Sequence, residues 1–150
     1  MHLSRERTRP SSVLTAALWL ATLALAAVFF WTGARKILGV GGWVAGFAQW
    51  GYPPWFRVLI GVVEVSSAAL LLVPRLAVLG ALGIAVTMVG AVGTLVSHGG
   101  SRRIATPLAC LCLALVIGWA RRREFAAMLR LSREAAPSAP NPRAPRSERG

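Results

Sequence analysis

The sequence contains no aspartate, and Lys36 is its only lysine among 17 basic residues. Its five acids are all glutamate, and four of them, Glu6, Glu124, Glu134 and Glu148, lie in the polar ends. Glu64 is therefore the single acid of the apolar body. Cysteine is nearly absent too. Cys110 and Cys112 are separated by one residue, so on a helix they point about 200° apart and cannot pair with each other. No C-x-x-C, metal-ligand spacing or haem-attachment motif occurs, and free cysteines of this kind act as small buried hydrophobes. There is no paired membrane histidine and no flavin or nucleotide motif, which excludes a redox enzyme that carries its own cofactor ligands. No catalytic group and no metal site can be named.

Also missing is the alternation of apolar and polar residues by which a soluble domain makes one buried face. Hydrophobic residues make up 55% of the 150 positions. They come in four long blocks divided by short basic loops, each block close to the roughly 20 residues that cross a bilayer as a helix. The spacing predicts an all-α membrane protein, a four-transmembrane-helix bundle with spans over about 13–34, 55–73, 76–97 and 104–120. Residues 1–12 read as a basic cytoplasmic leader. The apolar run behind it is too long for a typical signal-peptide core and lacks a small-residue cleavage site, so it is read as an uncleaved span. Residues 13–121 form one membrane domain. Residues 122–150 read as a basic juxtamembrane segment, amphipathic near Phe125, Met128 and Leu129, followed by a disordered cytoplasmic tail.

The net charge of +12 does not form a nucleic-acid patch, because the arginines mark span boundaries and crowd the two ends. Twelve basic residues fall on the side of the termini and five on the other, which places both termini in the cytoplasm. The partner expected first is the lipid bilayer.

Between the first two spans, Gly39, Gly41 and Gly42 break the first helix. Trp43, Phe47 and Trp50 then recur at helical spacing, and Tyr52 follows. This predicts a short interfacial helix, since tryptophan and tyrosine favour the headgroup level. An aromatic lid over a ligand is the alternative. In the third span, Gly80, Gly83, Thr87, Gly90 and Thr94 fall on one seam. Small residues in such a seam let a neighbouring backbone come close. Pro107 either sits in the first turn of the fourth span or kinks it.

Glu64 lies near the middle of the second span, where a charge costs most. An ionisable group at that depth usually faces the bundle interior and marks a functional site, although a structural tie between helices would look the same. Helical side chains lean toward the N-terminus of their own helix. Lys36, at the outer end of the first span, and Glu64, on the returning span, therefore lean toward each other. Gly33 lies one turn before Lys36 on the same face, and Arg57 and Gly61 lie on the face of Glu64. The expectation is a polar pocket of Lys36, Arg57 and Glu64 below the outer surface, with Lys36 as the direct partner. His98, at the outer end of the third span, is a candidate to join it.

Phe29-Phe30-Trp31-Thr32-Gly33-Ala34-Arg35-Lys36, then Phe47-Ala48-Gln49-Trp50-Gly51-Tyr52-Pro53, then Gly61-Val62-Val63-Glu64, followed by a glycine-rich helix ending in His98, resemble the DoxX-like family of small four-helix membrane proteins. The resemblance covers about residues 14–120. It implies a multi-pass protein of a prokaryotic plasma membrane. Relatives include a small subunit of an archaeal thiosulfate:quinone oxidoreductase and membrane partners of thiol- and superoxide-handling enzymes. The related MauE-type proteins serve disulfide formation, but this chain lacks their cysteine-rich outer motif, which argues against a dithiol relay. What the resemblance implies is an accessory or scaffold subunit of a quinone- or thiol-linked redox system. A catalytic role would need a bound quinone or a partner protein. The alternatives are a small-solute carrier with Glu64 as its proton-coupled group, acting as a homo-oligomer, and a purely structural scaffold.

Overall fold

The computed structural model describes residues 12–100 and 103–134. Among these the chain is entirely helical, with α1 over Ser12–Leu38, α2 over Trp43–Gln49, α3 over Pro54–Leu72, α4 over Ala77–Ser97 and α5 over Ala105–Glu134. Among the described residues, four stretches are long and apolar enough to cross a membrane: Val13–Leu38, Pro54–Leu72, Ala77–Ser97 and Ala105–Arg123.

Local chemistry sets the boundaries. Proline at the first position of α3 costs nothing, because the amide it lacks would have no helical partner there. Pro74 lies just past the end of α3, in the turn to α4. Pro107 falls in the first turn of α5, which runs on past it, so it does not break the helix. Helices α1, α2 and α4 all stop in the same way. A glycine enters the left-handed region (Gly39 at φ 71°, Gly51 at 74°, Gly99 at 70°). The next residue's amide then turns back to the helix, as in Val40 N–H to the Arg35 carbonyl at 3.1 Å, Tyr52 to Phe47 at 3.0 Å and Gly100 to Leu95 at 2.8 Å. This closure satisfies carbonyls that would otherwise be orphaned, and glycine adopts the backbone conformation without a Cβ penalty. All three stops lie at the end of the bundle that carries α2.

The four long helices alternate in direction. α1 lies along α3, α3 along α4 and α4 along α5, while α1 and α5 meet over a shorter stretch. The core is Leu25, Ala26, Phe29, Ala68, Leu71, Ala77, Ala81, Ile84, Met88, Ala114 and Ile117. Alanine is prominent in it, as expected where close backbone approach rather than water exclusion drives helix association. The outer surface is apolar as well, with Leu20, Val28, Phe30, Val62, Leu82, Val86, Val89, Leu115 and Val116 all exposed. A helix bundle that is hydrophobic inside and out is built for lipid.

Two boundaries differ from those read in the sequence. α1 continues a full turn past Ala34 to Leu38, so Arg35 and Lys36 are helical. α5 does not stop at Ala120 but continues through the arginine run to Glu134. Its 30 residues make a rod of about 45 Å, against a hydrocarbon core of about 30 Å. The tail expected to be disordered, 135–150, and the leader, 1–11, lie outside the described residues.

Candidate functional site at the α2 end of the bundle

The site begins with two glycines. Gly33 on α1 and Gly61 on α3 face each other so closely that a Cβ on either would lie 2.9 or 2.8 Å from the other's carbonyl oxygen. That contact brings the two backbones together one turn below Lys36 and one turn from Glu64. The lysine ammonium donates to both carboxylate oxygens, at 2.5 and 2.6 Å. Lys36 is 6% exposed and Glu64 1%. A buried charge is stable only when it is paired, and here each charge has the other. The ammonium also lies 4.4 Å from the centre of the Trp43 ring, within cation–π range. Thr32 is within reach of the same carboxylate.

The aromatic segment folds over the pair as one cluster. Phe47 is buried and lies at its centre, with Trp43, Trp50, Tyr52 and Phe56 around it at ring distances of 6.5, 5.8, 5.9 and 6.3 Å. Tyr52 stacks on Phe56 at 4.8 Å. The cluster is held at both margins. Arg57 donates to the Ile37 carbonyl at 3.4 Å, next to the turn after α1. The Tyr52 hydroxyl and the Thr94 hydroxyl share a hydrogen bond of 2.8 Å, which fastens the segment to α4. Arg57 is therefore a clasp on the roof and not a partner of the carboxylate. His98 caps α4 in an exposed position with Nδ1 2.9 Å from the Thr94 carbonyl, and among the described residues it makes no contact with the pair.

The predicted seam on α4 divides in two. Gly80 and Gly83 press against α3, and a Cβ on Gly80 would fall 2.5 Å from the Ser67 carbonyl oxygen. Thr87 is buried beside them, its hydroxyl donating to the Ile84 carbonyl at 2.9 Å. Gly90 faces open space, with nothing within 4 Å of where its side chain would be. Thr94 leaves the packing role altogether and holds Tyr52.

Replacing Tyr52 by Phe removes the Thr94 bond and leaves the ring in place. The loss should be about 0.5–1.5 kcal/mol, read as a small drop in unfolding temperature in detergent. A Tyr52→Phe protein that melts with the wild type would show that the hydroxyl does not fasten the roof.

At the opposite end, Arg121 escaped the sequence reading. It stands in a run of three arginines, which suggests a solvated tip, yet it is 2% exposed and its guanidinium lies 4.3 Å over the Trp19 ring of α1. A signal was present. Arg121 follows Ala114 and Ile117 at helical spacing, and both of those are fully buried.

No curated protein and no solved structure matches the chain. A family match does exist, and it spans residues 12–117, which takes in Lys36, Glu64, the aromatic roof and the first 13 of the 30 residues of α5. With four apolar helices and a match over most of its length, the chain is an integral membrane protein that belongs to the DoxX-like family.

Proposed function

We propose that the protein is an accessory subunit of a quinone-linked redox system in a prokaryotic plasma membrane, and that the Lys36–Glu64 pair under the aromatic roof receives a quinone headgroup. The observation that carries this reading is the pair itself: one donor and one acid, buried at membrane depth, with an indole face 4.4 Å from the donor. The residues suit such a group. Lys36 can donate to a carbonyl oxygen, Glu64 can hold or release a proton beside it, and Trp43 offers a flat apolar face. A bound quinone would supply the two-electron chemistry that no side chain here provides. The roof must lift for entry, and its left-handed glycines at 39, 41, 42 and 51 are the natural hinges.

The test is thermal unfolding of purified protein with a short-chain benzoquinone. At a hundred times the dissociation constant, binding should stabilise the protein by about 2.7 kcal/mol. Trp43→Leu should weaken the response. An unmoved melting curve at saturating quinone overturns the proposal. A shift produced instead by a small anionic or hydrophobic solute would favour the carrier reading, in which Glu64 moves protons. Co-purification of a stoichiometric redox enzyme after mild solubilisation would support the accessory role.

The same proposal places α2 outside and both termini in the cytoplasm. With Cys110 and Cys112 replaced by serine, Gln49→Cys should react with an impermeant reagent from outside the cell and Arg75→Cys should not. The reverse pattern would invert the topology.

A further inference from the structure

The end of the bundle opposite α2 carries a second arrangement that the proposed function does not use. Arg121 turns inward onto Trp19 and ties α5 to α1. Arg122, one residue on, turns outward. It is exposed, and its guanidinium lies 4.3 Å over the ring of Trp119. Trp119 is itself 66% exposed and belongs to the last turns of the apolar part of α5. An indole at that height sits at the headgroup level of a bilayer. The guanidinium over it is exposed, so N–H groups stay available along the surface. Such groups pair with two oxygens of a phosphate.

The surroundings are mostly of the same sign. Arg123 is exposed beside it, and Arg75 is exposed in the turn between α3 and α4 at the same end. Glu124 follows Arg123 directly, so the four arginines Arg75, Arg121, Arg122 and Arg123 outweigh one acid there. α5 then continues unbroken and carries Arg130, also exposed, further from the bundle. The neighbour of a lipid-facing Trp119 is a lipid, which favours a headgroup over a soluble acidic protein.

We propose that this rim binds the phosphate of an anionic phospholipid, with Arg122 on Trp119 as its central contact and Arg123 and Arg75 adding to the attraction. The test uses the whole protein in detergent micelles containing equal phosphatidylglycerol and phosphatidylcholine, with retained lipid counted by mass spectrometry after washing. The wild type should retain phosphatidylglycerol in excess. Arg122→Gln should cut that excess about fivefold, the effect of removing one basic residue near an anionic surface. Arg130→Gln should leave most of it. Because Arg122 is exposed, its glutamine variant should melt with the wild type in phosphatidylcholine alone, which separates lost binding from lost folding. Retention of the two lipids in equal amounts by the wild type would overturn the proposal, as would an unchanged excess in Arg122→Gln. Displacement of the lipid by millimolar inorganic phosphate would also overturn it, by showing a site for the free anion.

Discussion

Glu64→Gln is expected to lower the unfolding temperature in detergent by about 10 °C or more, and adding Lys36→Met is expected to restore part of the loss. The first change leaves an ammonium that is 6% exposed with one neutral amide oxygen and an NH2 group in place of the two carboxylate oxygens that receive it. Removing one partner of a buried pair typically costs about 3–5 kcal/mol, and about 3 kcal/mol moves a domain of this size by that many degrees. Lys36→Met alone should be harmful for the mirror reason. The double variant buries no charge, so the cycle of four proteins isolates the pair from the rest of each side chain. A double variant no more stable than either single one would show that the pair does not link α1 to α3. If all four proteins melt together while the quinone response is lost, the pair serves binding and not the fold.

The second large effect concerns α4. Gly80→Leu should destabilise the protein by about 1–3 kcal/mol or more, whereas Gly90→Leu should lie within about 0.5 kcal/mol of the wild type. The two glycines look alike in the sequence. At Gly80 a new Cβ would meet the Ser67 carbonyl oxygen at 2.5 Å and the Leu71 nitrogen at 2.6 Å, and backbone atoms cannot swing aside. At Gly90 it meets nothing within 4 Å. Gly61→Leu should resemble Gly80→Leu, since its Cβ would strike the Gly33 carbonyl oxygen at 2.8 Å and the Ile37 nitrogen at 3.1 Å. Equal melting of Gly80→Leu and Gly90→Leu would mean that α3 and α4 do not pack as described.

These residues show what a sequence can and cannot reveal. The four spans were legible because lipid demands uninterrupted apolar helices of a set length. Lys36 opposite Glu64 was legible because side chains lean toward the start of their own helix, and a hairpin of two spans points the leans at each other. The fate of the seam was not, because periodicity names a face and says nothing of what stands opposite each rung. Gly80 and Gly90 share that face but not a neighbour. Depth alone puts His98 close to the pair, but its ring turns back to the Thr94 carbonyl of its own helix. The arginines predict an end to α5 because charge usually marks the membrane boundary. The helix needs no boundary there, since arginine is a good helix former and no glycine or proline interrupts 118–134 after Gly118.

The order in which the pair is made bears on biogenesis. Lys36 precedes Glu64 by 28 residues, so α1 reaches the membrane before α3 does. Until α3 arrives, the ammonium must stretch toward the interface to stay hydrated, as long basic side chains near helix ends do. Entry of α3 then solves two insertion problems at once, because the carboxylate meets a cation already waiting and the cation acquires a reason to withdraw from water. A nascent chain stopped short of Glu64 would leave α1 with its charged end at the membrane surface, a recognisable signature for quality control.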